Sequence, residues 1–203
     1  MTTTESGDTD ADTSDGDPGD VRQAVVLDHL PHGRADDDRP RHRKSPLAYA
    51  LGERDFRLFE LTLVDDADVS IGDRVVIGPT GRREAVDGFK QVTYDDLSNT
   101  AVGEVEYAVE AIVEADEQRF VDFYNDAQPI TLRLHQLNLL PGIGKKLRNN
   151  VLDQRKRGPF ESFEEVEDRV SGLHRPKEVL VERIMEELRD DDLKYKTFVG
   201  RNG

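Results

Sequence analysis

A short motif at residues 139–146, Leu-Leu-Pro-Gly-Ile-Gly-Lys-Lys, constrains the fold of this chain more than any other feature. Gly142 and Gly144 lack the side chains that would hold a phosphate away from the backbone, and we expect Gly144 to adopt a positive φ. The first N–H groups of the following helix have no partner inside that helix and lie at the positive end of its dipole. Lys145 and Lys146 add positive charge. The motif predicts a phosphate-binding turn, and the alternative is an ordinary glycine-closed turn between helices.

Apolar residues on both sides of this turn predict helices. Their spacing is mostly helical before the turn, at Ile130, Leu132, Leu134, Leu137 and Leu140, and they share one helical face after it, at Ile143, Leu147, Val151 and Leu152. The pattern repeats in weaker form further along the chain. Ser162 and Glu165 form a capping box, and a turn at residues 172–176 precedes a last amphipathic helix. Two such hairpins can pack on each other around one small core.

Between the two hairpins, Arg-Gly-Pro-Phe at residues 157–160 is followed by Ser-Phe-Glu-Glu-Val at residues 162–166. With these runs, the segment from Thr131 to Leu188 resembles the double helix-hairpin-helix module of bacterial DNA-uptake receptors and of many repair proteins. This resemblance and the local charge imply a nucleic-acid site at Gly142, Ile143, Gly144, Lys145, Lys146, Leu147, Arg148 and Arg155. The resemblance also implies that the backbone carbonyls of Asn138, Leu140 and Ile143 can hold a monovalent cation, K⁺ or Na⁺, and it implies no other cofactor.

The second hairpin departs from the family pattern. His174 stands where a second glycine is expected, and Pro176 lies at the start of the next helix. We therefore interpret the second hairpin as a structural partner of the first, with phosphate binding centred on residues 139–148.

The distribution of charge supports the same location. The chain has 28 basic and 43 acidic residues, a net charge of −15, which taken alone argues against a polyanionic partner. An excess of Asp and Glu with few Lys is also typical of salt-adapted, halophilic proteins. The basic segment, residues 131–157, contains Asp153 as its single acid and seven bases: Arg133, Lys145, Lys146, Arg148, Arg155, Lys156 and Arg157. This segment predicts a nucleic-acid surface, with a solvated helix face as the alternative.

Composition divides the chain into four parts. Residues 1–20 contain seven acids, no base and no large apolar residue beyond Met1, so they are predicted to be a disordered tail. Residues 21–94 show short apolar or alternating runs separated by turns, which predict five strands in a small OB-like β-barrel. Residues 95–127 have helical spacing and predict two connecting helices, and residues 128–203 form the all-α double helix-hairpin-helix domain. The expected fold class is α+β.

The barrel prediction carries a second candidate surface. The strand entry at residues 69–78 looks like those of OB-type and SH3-like barrels, and OB barrels bind nucleic acids through aromatics and loops. Tyr49, Phe56 and Phe59 are expected in the core, which leaves no obvious exposed stacking set. A basic cluster either contacts a nucleic-acid backbone or belongs to a mobile loop of mixed charge; it comprises Arg39, Arg41, His42, Arg43 and Lys44.

The order of the parts carries a further resemblance. In sequence order, the chain has a predicted barrel, connecting helices, the run Gln-Pro-Ile-Thr at residues 128–131 and the turn motif. This order resembles that of an uncharacterised archaeal family of predicted nucleic-acid-binding proteins. That family pairs an OB-type barrel with a helix-hairpin-helix. The resemblance covers nearly all of the chain after the tail and implies no established activity.

The sequence displays no convincing catalytic constellation. Glycosylases built on this hairpin place a catalytic Asp after a Gly/Pro-rich loop, and none follows residues 157–161 here. His135 has no carboxylate one helical turn away for proton transfer. The leading hypothesis is a non-catalytic protein that binds DNA or RNA without regard to sequence. The alternatives are a protein-interaction module of a translation or DNA-repair assembly and a nuclease-like or glycosylase-like repair factor.

Composition also predicts where the protein acts. The chain has no cysteine, no apolar run of membrane-spanning length and no leader with a basic start and an apolar core. We expect a cytoplasmic monomer that does not associate with membranes. Phosphate contacts carry no base information, so the motif does not separate DNA from RNA.

Overall fold

A computed structural model describes residues 21–34 and 44–200. The predicted acidic tail and most of the basic cluster at 39–44 lie outside these ranges; only Lys44 of that cluster is described. The five strands are β1 (Arg22–Leu30), β2 (Leu47–Gly52), β3 (Leu58–Leu63), β4 (Arg74–Gly78) and β5 (Val86–Val92). The five α-helices are α1 (Asn99–Ala115), α2 (Glu117–Asp126), α3 (Lys145–Arg155), α4 (Phe163–Arg169) and α5 (Pro176–Arg189). The α+β prediction is confirmed, with the strands preceding the helices.

The strands form one antiparallel sheet in the order β4-β1-β2-β3-β5, which curls into a half-barrel. Five strands were expected, but the run at residues 69–77 becomes a strand only from Arg74 onward. Before it, the Asp73 carboxylate accepts a hydrogen bond from the backbone N–H of Ser70 at 2.8 Å, and Gly72 has a φ of +88°. Because Asp side chains and a positive-φ glycine favour turns, the first half of the run folds back.

Both faces of the sheet are covered. Side chains on the inner face fill the half-barrel: Ala24, Val26, Ala48, Ala50, Phe59, Leu61, Leu63, Val69, Val75, Ile77 and Val86. Side chains on the outer face pack against the helices, among them Val25, Leu27, Tyr49, Leu51 and Leu58. Strands that are buried on both faces need apolar residues at consecutive positions, which explains the continuous apolar run in β1. Tyr49, Phe56 and Phe59 are all buried, as predicted.

Helix α1 packs on β1 and β2, and both predicted connecting helices are confirmed. Ser98 caps α1, because its Oγ accepts the N–H of Ala101 at 3.1 Å. The same hydroxyl donates to the Asp28 carboxylate of β1 at 2.5 Å. The cap of the first helix is thereby tied to the sheet.

A single apolar core joins the outer face of the sheet to all five helices. Tyr124 of α2 is fully buried in this core and donates its hydroxyl hydrogen to the carbonyl of Pro176 at 2.7 Å, which fixes α2 against the start of α5. The guanidinium of Arg119 donates to the carbonyls of Glu53 and Arg54, which fixes α2 against the turn after β2. Within the described residues, no helix is both long enough and apolar enough to cross a membrane.

The segment after α5 returns to the sheet. Its amides at Thr197, Phe198 and Val199 donate to the carboxylate of Glu187 at 2.7–3.0 Å, and Glu187 is fully buried. The buried guanidinium of Arg183 donates to the same carboxylate oxygen as Thr197, Oε1, at 2.9 Å, while Oε2 accepts the N–H groups of Phe198 and Val199. Further along, the N–H of Gly200 donates to the carbonyl of Asp55 at 2.8 Å. We call residues 195–200 the C-terminal strap.

Candidate nucleic-acid interface

The predicted turn lies between a short 3-10 helix, Gln136–Leu139, and helix α3. Ile143 is buried at the centre of the turn, whereas Gly142, Gly144, Lys145 and Lys146 are exposed. Ile143 anchors the turn to the core, and the residues around it face solvent. The structure therefore presents the motif at the surface, at the start of a helix, as the sequence predicts.

The helix expected before the turn does not form. Residues 130–134 make a tight turn, because the Thr131 Oγ accepts the N–H groups of Arg133 at 3.2 Å and Leu134 at 3.0 Å. A threonine side chain that bonds nearby amides competes with helical hydrogen bonds, and Pro129 precedes the segment. The helical spacing of the apolar residues was misleading here, since Leu132 is fully exposed.

The two glycines of the turn have different backbones. Gly142 has a φ of +76°, which favours glycine, whereas Gly144 has a φ of −79° and a ψ of −177°, which any residue can adopt. The expectation of a positive φ at Gly144 was therefore wrong. A Cβ added at either position would meet no other atom within 4 Å. Only Gly142 is required by the fold, and Gly144 leaves open space above the amides of α3.

The available amides begin later than predicted. The N–H of Ile143 donates to the carbonyl of Leu140 and the N–H of Gly144 donates to the carbonyl of Gly142, each at 3.2 Å. The first bond of α3 runs from the N–H of Arg148 to the carbonyl of Gly144 at 2.9 Å. The amides of residues 145–147 precede that bond, so they are the orphan donors of the helix start. The positive end of the α3 dipole, where these three amides lie, therefore faces the surface.

Asn138 holds the turn together with its side chain, a role that the sequence did not reveal. Its amide nitrogen donates to the carbonyl of Ile143 at 2.9 Å, and its amide oxygen accepts from Nη1 of Arg148 at 3.1 Å. Arg148 also bonds the amide oxygen of Asn149. Arg148 is thus fixed beside the turn by neutral partners and keeps its charge uncompensated.

Most bases of the basic segment have no acidic partner. In the part of the chain that the structure describes, Lys156 is the only base of this segment in an ion pair, with Asp153 at 2.9 Å. Bases elsewhere are often paired, for example Arg57, Arg74, Lys90, Arg169, Lys177, Arg183, Arg189 and Lys196. Positive charge is therefore concentrated around the start of α3.

Arg155 differs from the other predicted contact residues. Its Nη1 donates to the carbonyls of Tyr124 at 3.3 Å and Ala127 at 3.0 Å. Arg155 thereby caps the end of α2, and burial lowers the pKa of its guanidinium. The structure gives this side chain a role in holding α2 against α3.

The residues whose carbonyls are predicted to hold a cation line one cavity of about 840 Å³. Residues 138–144 form one wall, and the other wall carries both acids and bases of α5 and its end: Glu182, Arg183, Glu186, Arg189 and Asp190. The carbonyl oxygens of Leu140 and Ile143 each accept one hydrogen bond and retain a second lone pair. Backbone carbonyl oxygens coordinate K⁺ in proteins, and a monovalent cation, K⁺ or Na⁺, at this turn stays a prediction.

The second turn repeats the geometry of the first. Gly172 has a φ of +90°, the next residue, Leu173, is buried, and its N–H donates to the carbonyl three residues earlier at 3.0 Å. The helix start differs, because Pro176 has no N–H and the exposed His174 replaces the second glycine. The second turn offers fewer amides than the first and serves mainly to pack α4 on α5.

His135 caps the 3-10 helix before the turn. Its Nδ1 accepts the backbone N–H of Leu137 at 3.2 Å, which requires a neutral ring. Burial, with smaller contributions from the nearby charges of Arg155 and Arg148, lowers the pKa of His135 below 6.5. The imidazole is thereby kept as an acceptor that holds the approach to the turn.

We expect this histidine to make the protein less stable in acid. The folded state resists protonation of His135, because the pKa of its imidazole is lowered on folding. The contribution of the neutral imidazole to the free energy of unfolding is therefore complete above the unfolded pKa of about 6.5 and is lost as the pH falls below that value. Replacing His135 with Asn keeps an acceptor and removes the titration. Denaturant unfolding between about pH 5 and pH 8 should show a shallower loss of unfolding free energy in His135→Asn. Equal pH profiles for the two proteins would contradict this assignment.

Comparison with known proteins places the whole described region in a single family. The family model described as a protein of unknown function (DUF655) matches residues 20–200. An uncharacterised protein of Methanocaldococcus jannaschii is 39% identical over 178 residues, covering 87% of this chain and 78% of the relative. The crystal structure of Af1531 from Archaeoglobus fulgidus, also assigned to DUF655, is 44% identical, with a TM-score of 0.80. The match covers 88% of this chain and 99% of that chain.

Proposed function

This chain belongs to the DUF655 family, and we propose that it is a non-catalytic protein that binds the phosphate backbone of DNA or RNA. The contact surface in this proposal is the start of α3, with the amides of residues 145–147 and the side chains of Lys145, Lys146 and Arg148. The observation that carries the proposal is the coincidence of orphan amides and unpaired bases at one exposed helix start. Phosphate oxygens accept hydrogen bonds from both kinds of donor.

Charge makes this coincidence informative. The protein carries a net charge of −15, and its bases outside the basic segment are often paired with carboxylates. The folded surface at the start of α3 brings together three bases without an acidic partner, Lys145, Lys146 and Arg148, and so forms a local excess of positive charge. Such a local excess attracts a polyanion even when the whole molecule is acidic.

The two similar turns support a double helix-hairpin-helix arrangement within this proposal. Gly142 and Gly172 both have positive φ, and each is followed by a buried apolar residue. We further interpret the five-stranded half-barrel as OB-like, which would add a preference for strand type. The groups that face solvent at the first turn are amides, lysines and an arginine, all of which donate hydrogen bonds to phosphate oxygens.

The salt dependence of binding tests the contact surface. If Lys145, Lys146 and Arg148 engage about three phosphates, the plot of log affinity against log salt for a duplex should have a slope of about −2 to −3. Replacing both lysines, Lys145→Ala with Lys146→Ala, should flatten that slope by about one to two units and weaken all sequences alike. The affinity of DNA and RNA duplexes is measured over a range of KCl concentrations.

The matched control removes two exposed bases elsewhere, Arg82→Ala with Lys194→Ala, and neither belongs to an ion pair of the described residues. It changes the net charge by the same amount and should leave the slope as in the wild-type protein, because Arg82 follows β4 and Lys194 follows α5. If the lysine pair of α3 and the control pair give the same slope, the start of α3 is not the contact surface. The basic residues at 39–44 would then be the next surface to test.

A further inference from the structure

An apolar side chain projects from the turn before the first 3-10 helix. Leu132 is 107% exposed, whereas the other exposed large apolar side chains of the described residues range from 37% to 68%. Complete exposure of a leucine side chain is unfavourable, because its transfer from water to a buried site contributes about 1.5–3 kcal/mol. The neighbouring residues Thr131 and Arg133 are exposed as well. Leu132 thus forms the tip of a protruding turn.

This tip is held in place by hydrogen bonds around it. The carbonyl of Leu134 accepts the N–H groups of Ile130 at 2.8 Å and Thr131 at 3.0 Å, in addition to the two bonds made by the Thr131 hydroxyl. At the base of the turn, Pro129 and His135 form an isolated β-bridge. A turn closed by this many bonds presents Leu132 in a defined position, without the ordering cost of a flexible loop.

The base of the turn lies beside the proposed phosphate site. The N–H of Asn138 donates to the carbonyl of His135 at 2.8 Å, and the side-chain oxygen of Asn138 accepts from Arg148 at 3.1 Å, so the base of the turn is linked to a base of α3. Next to the tip, Arg133 is exposed and takes part in none of the ion pairs of the described residues. An apolar tip and a positive charge therefore project from the turn that precedes the 3-10 helix and the orphan amides of α3.

We propose that Leu132 is a wedge that inserts between neighbouring bases at a weakly stacked step of a duplex, while Arg133 contacts a flanking phosphate. This proposal rests on the proposed function and gives it a preference for distorted sites. Proteins that kink duplexes insert apolar side chains of this kind, and the cost of unstacking is smallest where a base is mismatched or unpaired. The phosphate contacts at α3 would hold the duplex while Leu132 enters it.

The test compares two duplexes of the same sequence, one perfectly paired and one with a single mismatch beside a 2-aminopurine base. The full chain should bind the mismatched duplex about tenfold more tightly and raise the 2-aminopurine fluorescence, because unstacking relieves its quenching. Leu132→Ala should lose both the preference and the fluorescence rise, while its salt slope stays unchanged. Leu132→Met should retain both effects, because its side chain has a similar volume.

The control is Ile71→Ala, which removes an exposed aliphatic side chain on the sheet part of the molecule, where it is 46% exposed. It should behave as the wild-type protein. If Leu132→Ala keeps the mismatch preference while the α3 lysine variant binds weakly, the wedge is refuted and the proposed function stands. If the wild-type chain binds neither duplex, both are refuted. If Leu132→Ala changes the oligomeric state of the protein and leaves duplex binding unaltered, the tip is a protein contact and the wedge is refuted.

Discussion

Gly144→Val is expected to weaken duplex binding by about tenfold to hundredfold, a loss of about 1.4–2.7 kcal/mol, without unfolding the protein. A Cβ at residue 144 meets no other atom, and the φ of −79° suits a branched residue, so the native backbone can be kept. The added side chain would occupy the space through which a phosphate reaches the amides of residues 145–147. The loss at the helix cap itself should stay within about 1 kcal/mol.

Two further glycine variants separate this effect from general damage. Gly88→Val on strand β5 also meets no other atom within 4 Å, and it should bind as the wild-type protein does. Gly142→Val should lower stability, because a φ of +76° is strained for a branched residue. Duplex affinity and denaturant unfolding are measured for all three. If the Gly144→Val protein is folded and binds a duplex with full affinity, the turn is not part of the contact surface.

Glu187→Gln is expected to lower the free energy of unfolding by about 3–5 kcal/mol. Its carboxylate is fully buried, accepts the N–H groups of Thr197, Phe198 and Val199, and neutralises the buried guanidinium of Arg183. The substitution leaves Arg183 without its buried countercharge and places an amide N–H among donors. We expect the C-terminal strap to detach and the whole fold to lose stability, as measured by denaturant unfolding.

The neighbouring acid provides a control for this prediction. Glu186 also pairs with Arg183, at 2.7 Å, but its side chain is 50% exposed. Glu186→Gln should therefore cost less than about 1 kcal/mol, because an exposed ion pair is screened by water. Similar losses in the two variants would mean that burial of Glu187 and its amide bonds do not anchor the strap.

Features set by neighbouring residues could be predicted from the sequence. The Pro-Gly-Ile-Gly turn followed by a helix is encoded locally, through a glycine at a positive φ and a buried Ile143. Half of the capping box predicted at Ser162 and Glu165 forms, with the Ser162 Oγ accepting the N–H of Glu165 at 3.1 Å. The Glu165 carboxylate accepts the N–H of Glu161 at 2.7 Å and not that of Ser162. The five strands were recognised for the same reason, because alternation and turn residues act over a few positions.

Features set by distant contacts could not be predicted. The run from Ile130 to Leu134 has helical spacing, yet the Thr131 hydroxyl closes a turn there and exposes Leu132. Arg155 looked like a contact residue, but its partners are carbonyls about thirty positions earlier in the chain. The acids of α5 that share a cavity with residues 138–144 are equally remote in sequence. Nothing in the local pattern of a helix indicates which turn it will face.

In the proposed function, the helix start at residues 145–147 donates its amides to nucleic-acid phosphates. Backbone amide NMR spectra of the full chain, recorded while a short duplex is added at constant KCl, report on these donors one by one. The largest shifts are expected at the amides of Lys145, Lys146 and Leu147, and Gly144→Val should abolish them. Shifts centred on the sheet, with the amides of residues 145–147 unmoved, would contradict it.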